Sequence, residues 1–185
     1  MNNQEIRREL LEIAGELAGS LGTGRHGHMS RLSVVMRFIT DKEILDLLKG
    51  AYNDLDALHI TFARLDIGAA VIMLDAEYQR TEFGDRFRTL SKTVEGLIEI
   101  KGDVEENPQK GAARLEDFIG HMPEGAAKES IRKIPSFLQD PVTRERGVNY
   151  LNQLFRDFER QRAEMVWEYL AQAQINEPDR IAAER

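Results

Sequence analysis

A chain of 185 residues, 42% hydrophobic and 31% charged, has the composition of a folded globule and excludes a disordered polymer. Its formal net charge of −7 argues against sequence-independent nucleic-acid binding, and the absence of cysteine excludes disulfides, thiol catalysis and Cys-ligated zinc. The polar start, Met1 to Leu10, lacks the apolar centre of a signal peptide, and the longest apolar run, Ile67 to Leu74, falls far short of the roughly twenty residues of a membrane span, so a soluble, cytoplasmic protein is expected.

The apolar positions keep a helical period almost throughout, with no clear period-two alternation. The expected fold class is therefore all-α, a bundle of five to seven helices with one long central helix and a long C-terminal helix. Asn2 or Asn3 is placed to cap a first helix whose inner face reads Ile6, Leu10, Ile13, Leu17 and Leu21. A glycine-rich segment, Gly22 to His28, ends that helix, and Ser30 is expected to cap a short second one through Leu32, Val35, Met36 and Ile39. Thr40-Asp-Lys-Glu43 then has the form of a capping box.

The strongest pattern follows. Ile44, Leu48, Ala51, Leu55, Leu58, Phe62, Leu65, Ala69, Ile72 and Ala76 alternate spacings of four and three, as in a coiled-coil seam. At 1.5 Å per residue such a run would be roughly 50 Å long, more than the core of a chain this size spans. Either it bends, with Gly50 and Gly68 the expected places, or part of it meets another chain. Another helix follows through Phe87, Leu90, Val94 and Leu97.

All five prolines lie at or beyond position 108. The expected organisation is one helical domain over 1–175, with a proline-free part at 1–102, an acidic linker at 102–107 and a proline-punctuated part at 108–175. Asn107-Pro108 reads as an N-cap and first helical position, and Asp140-Pro141 opens the last long helix. Residues 176–185 read as a flexible tail.

Several residue groups carry candidate chemistry. Glycines let backbone N–H groups converge, and a helix start adds partial positive charge, so Gly22, Gly24, Arg25, His26, His28 and Ser30 form a candidate anion cradle. Arg25-His26-Gly27 matches the tripeptide of the histidine phosphatases, but no apolar strand leads into it. His28-Met-Ser-Arg31-Leu-Ser33 resembles the phosphorylation site of histidine phosphotransfer bundles, with Arg for Lys and Leu for Gly, and implies a phospho-accepting His28. Glu9, Glu12, Glu43 and Asp46 resemble the paired helical carboxylates of the all-α nucleotide pyrophosphohydrolases. That resemblance implies Mg²⁺ held against a diphosphate. Asp54, Asp56 and His59 are a further, partial metal set.

A helix-turn-helix reading of residues 30–49 fails because Asp41, Glu43 and Asp46 would repel DNA phosphates. The mixed charges of the last helix, Arg144, Arg146, Arg156 and Arg160 among Glu145, Asp157 and Glu159, suit a solvated face. No catalytic set is complete and no resident cofactor is implied outside the Mg²⁺ alternative. The expected function is therefore a non-enzymatic helical interaction protein, an adaptor, regulator or assembly subunit. A protein partner or a second copy would contact Leu55, Leu58, Phe62, Leu65 and Trp167. The alternatives are a phosphate- or nucleotide-handling enzyme of the all-α Mg-dependent pyrophosphohydrolase type, or a histidine phosphotransfer bundle.

Overall fold

The computed structural model describes the backbone of residues 1–20, 23–122 and 124–183, and the side chains as far as residue 173 apart from those at 20, 126 and 127. Among the described residues every regular element is helical and none is a strand. In chain order they are α1 (Asn3–Ser20), α2 (Arg25–Met36), α3 (Lys42–Asp56), α4 (Ile60–Leu74), a 3-10 turn at Tyr78–Arg80, α5 (Glu82–Glu106), α6 (Pro108–His121), α7 (Ala126–Ile131), α8 (Ile134–Gln139) and α9 (Arg144–Ala183). The architecture is the expected all-α bundle, with nine α-helices among the described residues where five to seven were expected, and its long central and C-terminal helices are α5 and α9. The chain forms two compact units: Met1–Arg86 with Ala163–Arg185, and Phe87–Arg162.

In the first unit α3 packs on α4, α1 on α4 and α2 on α3. Asn2 starts α1 through a reciprocal cap, Oδ1 accepting from the Glu5 N–H at 2.9 Å while Glu5 Oε2 accepts from the Asn2 N–H at 2.8 Å. The core joins Leu10, Ile13 and Leu17 of α1 to Leu48 and Leu55 of α3, Ile67 and Val71 of α4, and Val166 and Leu170 of α9.

Three local expectations are corrected here. Helix α2 starts at Arg25 instead of after Ser30, and its N-cap is Gly24 in the left-handed region at φ 78°. Glycine reaches that conformation without penalty, so the turn needs no serine. The cap of α3 is Asp41 instead of Thr40: its carboxylate accepts from the N–H groups of Glu43 and Ile44 at 2.9 and 3.2 Å. A carboxylate at a helix N-terminus also meets the favourable end of the dipole.

The third correction concerns the seam from Ile44 to Ala76. It is not one helix, and it bends at neither glycine. The break is at Leu58, a non-glycine residue with φ 62°. The His59 N–H returns to the Asp54 carbonyl at 2.7 Å and the Leu58 N–H to that of Leu55 at 3.2 Å. That pair of bonds is a Schellman ending, with leucine where glycine is usual. After it the buried face of α4 passes to Ala63, Ile67, Ala70 and Val71, and Leu58 and Phe62 fall outside. Gly50 and Gly68 are places of close packing instead. A Cβ on Gly50 would lie 2.5 Å from Asp66 Oδ2, and one on Gly68 would overlap Val166 Cγ1 and stand 3.0 Å from Leu170 Cδ1.

The second unit is built on α5 and α6 with Met122, α7, α8 and the first part of α9. Val94, Leu97 and Val104 meet Leu115, Ile119, Ile134, Leu138 and Leu151 in its core. Residues 102–106, read from the sequence as part of a linker, belong to α5. Asn107 Oδ1 then caps α6 by accepting from the N–H groups of Gln109 and Lys110, with Pro108 in the first turn. Asp103 ties the two helices together through Lys110 Nζ at 2.6 Å and the guanidinium of Arg114.

Candidate interaction surfaces

The glycine segment and the α1 carboxylates are best described together, because α2 lies against α1. Arg31, on α2, spans three α1 carboxylates: Nε reaches Glu9 at 2.5 Å, Nη2 reaches Glu12 at 3.1 Å and Nη1 reaches Glu16 at 2.8 Å. The hydrogen bonds it donates to Glu9 and Glu16 hold its already high pKa higher still, against the opposing effect of partial burial. Glu9 and Glu12 are thus occupied by a cation of the chain itself. Glu43 sits in the first turn of α3, and Asp46 pairs with Lys49 at 3.1 Å. Among the described residues, no group of three or more His, Cys, Asp or Glu is placed to hold a metal ion. The magnesium set suggested by the sequence is therefore not assembled.

The proposed anion cradle is spread over several directions. Gly22 lies outside the described residues. Arg25 donates through Nη1 to the Asp56 carbonyl at 3.1 Å, closing the C-terminus of α3. His26 is exposed, whereas His28 is buried inside α2 with Nδ1 3.3 Å from Glu16 Oε2. Ser30 is exposed in the middle of the helix. A phosphotransfer histidine needs an open ring face, and His28 is turned against α1 instead.

The suggested interface residues also separate. Leu55 is fully buried in the core and Leu65 is half-buried. Trp167 is half-buried beneath the guanidinium of Arg64, 4.8 Å from its ring centroid. Leu58 and Phe62 stand out at the α3–α4 turn, 58% and 60% exposed. His59, read from the sequence as part of a partial metal set, is exposed; it packs edge-on to Phe62 with ring centroids 6.1 Å apart and lies 3.4 Å from Asp54 Oδ1.

A groove in the second unit has no counterpart in the sequence reading. It encloses about 520 Å³ between α7, α8 and α9. Phe137 and Tyr150 form an aromatic pair with centroids 5.9 Å apart, and Ile134 and Leu154 add aliphatic surface. Arg146 lies 5.4 Å from the centre of the Phe137 ring. It donates to the Tyr150 hydroxyl from Nε at 3.2 Å and from Nη2 at 2.9 Å. Lys133 lines the same groove one helical turn before Phe137, and Asp157 lies there paired with Arg160 at 3.0 Å. Arg146 appears in the sequence as one of several alternating charges on a solvated helix. Tyr150 lies one turn along the same helix, and the return of α8 against α9 adds Phe137.

Comparison with known protein families, characterised proteins and solved structures returns no match. Among the described residues, no helix is long and apolar enough to cross a membrane.

Proposed function

We propose that this chain is a cytoplasmic, non-enzymatic interaction protein, an adaptor, regulator or assembly subunit, that engages a second copy of itself through the α3–α4 turn. The observation that carries the reading is Leu58. A left-handed backbone costs an L-residue roughly 1–2 kcal/mol, and here it holds a leucine that is 58% exposed beside a phenylalanine that is 60% exposed. The isolated chain gains little burial from either side chain. An association that covers both would supply the missing stabilisation, since each large apolar side chain moved out of water contributes about 1.5–3 kcal/mol.

The test is light scattering over a wide range of protein concentration. A mass that rises with concentration in the wild type, and stays at one chain in Leu58→Glu and Phe62→Glu with unchanged helical circular dichroism, supports the reading. A wild-type monomer at every concentration overturns it.

A further inference from the structure

We propose that the α7–α8–α9 groove is a binding site for an acidic peptide segment of a protein partner, with one aromatic or aliphatic anchor residue. The site lies wholly within the unit formed by Phe87–Arg162, and it does not rest on self-association at the α3–α4 turn.

Three observations define the occupant. The first is size: a groove of about 520 Å³ falls within the range of sites that take a small ligand or a few side chains. The second is chemistry. Phe137, Tyr150, Ile134 and Leu154 give an apolar surface suited to one inserted ring or branched chain, with the aromatic pair already set at 5.9 Å. Anchors of this kind dominate the energetics of peptide docking.

The third is charge. The polar contacts of the Arg146 guanidinium are to the neutral Tyr150 hydroxyl, and its other neighbours are the Phe137 and Tyr150 rings. Some cations of this chain sit on carboxylates, as Arg31 does on Glu9 and Arg114 on Asp103, and others on carbonyls or rings, as Arg25 does on the Asp56 carbonyl and Arg64 over Trp167; Arg146 is of the second kind, and it lines a groove. The Lys133 ammonium, also exposed and on the rim of the groove, adds a second positive charge. Among the described residues no ion pair involves Lys133 or Arg146, and the one carboxylate that lines the groove, Asp157, is paired with Arg160, so the two cations mark a surface complementary to acid. The two bonds to the Tyr150 hydroxyl engage Nε and Nη2 and leave Nη1 for a carboxylate, which Arg binds in defined geometry.

A nucleotide fits less well than a peptide. Its charge is concentrated in adjacent phosphates, whereas the two cations here come from different elements, Lys133 from the start of α8 and Arg146 from α9, and Asp157 lines the groove with them. Carboxylates spaced along an extended or helical segment, on either side of one apolar residue, match that distribution.

The experiment is fluorescence anisotropy of labelled, short Glu- and Asp-rich peptides with a central Phe, Tyr or Leu, titrated with the full chain. The matched probes replace the acidic residues by Lys, or the central residue by Ser. Saturable binding of the acidic, anchored peptides, weakened at least about tenfold by Lys133→Gln with Arg146→Gln and likewise by the Ser probe, is expected. Lys133→Glu with Arg146→Glu should move the preference to the Lys-containing probe. Both side chains are exposed, and circular dichroism checks that the variants remain folded. The proposal is overturned if no acidic anchored peptide binds, if binding is indifferent to the two cations, or if ADP or inorganic phosphate occupies the groove while the peptides do not.

Discussion

The Tyr169 hydroxyl donates to Asp75 Oδ2 at 2.7 Å, joining the last helix to the end of α4 across 94 positions of sequence. Arg7 completes the cluster from α1, its Nε lying 3.1 Å from the same carboxylate oxygen and 3.2 Å from the Tyr169 oxygen. The other carboxylate oxygen accepts from the N–H groups of Glu77 and Tyr78 at 3.1 and 3.3 Å, which starts the 3-10 turn. Burial alone would raise the pKa of Asp75. The Tyr169 hydroxyl, the Tyr78 N–H and the Arg7 charge outweigh it and hold the carboxyl below its ordinary range. Burial, with the adjacent carboxylate, pushes the Tyr169 phenol well above its ordinary range.

Tyr169→Phe is expected to cost about 1–2 kcal/mol, because it removes a donor from a buried charged acceptor. Urea denaturation at neutral pH measures it, and a neutral outcome would refute the cluster's contribution. The pH dependence has a fixed sign. The folded pKa of Tyr169 is raised, so its contribution is complete below the ordinary value of 10.0 and is lost as pH climbs towards the folded value. The gap between wild type and Tyr169→Phe should narrow above that pH. For Asp75 the folded pKa is lowered, so the gap between wild type and Asp75→Asn is full above 3.8 and closes on further acidification.

Two glycines in helices should respond to alanine with opposite signs. In α4 a Cβ on Gly68 overlaps Val166 and crowds Leu170, so overpacking at about 1–3 kcal/mol exceeds the gain of about 1 kcal/mol in helix propensity. Gly102 is exposed in α5 with nothing within 4 Å of its Cβ position, so only the propensity gain remains. Thermal unfolding should show Gly68→Ala lowered and Gly102→Ala raised by about 0.5–1 kcal/mol. Equal signs would show that Val166 and Leu170 give way to a methyl group at Gly68, or that a methyl group at Gly102 is not free of contacts.

These glycines also show where the sequence is legible. Period and proline placement were enough for the all-α bundle, for the α6 start at Asn107-Pro108, and for the long last helix. They could not tell a glycine that bends a helix from one that lets two helices approach, because both look like a gap in propensity. Nor could they place the α3–α4 break, since the left-handed residue is a leucine that continues the seam's spacing. The Arg31 contacts were hidden for a related reason: Glu9 and Glu12 are visible as a pair, but their partner comes from another helix. The α8–α9 groove depends in the same way on a chain reversal at Asp140, whose carboxylate accepts from the Val142 N–H at 2.9 Å.

Arg31→Gln tests the three-carboxylate contact. Without the guanidinium, Glu9, Glu12 and Glu16 remain as like charges at helical spacings on α1. The Arg31 side chain is 30% exposed and those of Glu12 and Glu16 about half exposed, so solvent screening limits the loss to about 0.5–1 kcal/mol. Denaturation at low salt should show it, and about 1 M salt should largely remove it. A loss that does not change with salt would mean that Arg31 acts by packing.

Leu58 separates stability from association most sharply. At the αL position of the Schellman ending, Leu58→Gly removes the clash of a Cβ with the backbone, while the side chain given up is 58% exposed and contributes little burial. Compared with the wild type at concentrations where it is monomeric, the fold should gain about 1 kcal/mol. Leu58→Ala gives up the same apolar surface but keeps a Cβ at φ 62°, so it should gain nothing. Both variants remove the exposed leucine and should lose self-association to the same extent. The difference between their urea midpoints isolates the backbone strain, and the loss common to both in light scattering isolates the apolar contact. If Leu58→Gly proves less stable than the wild type at concentrations where both are monomeric, the left-handed turn is not strained, and the argument from Leu58 to an interaction surface fails with it.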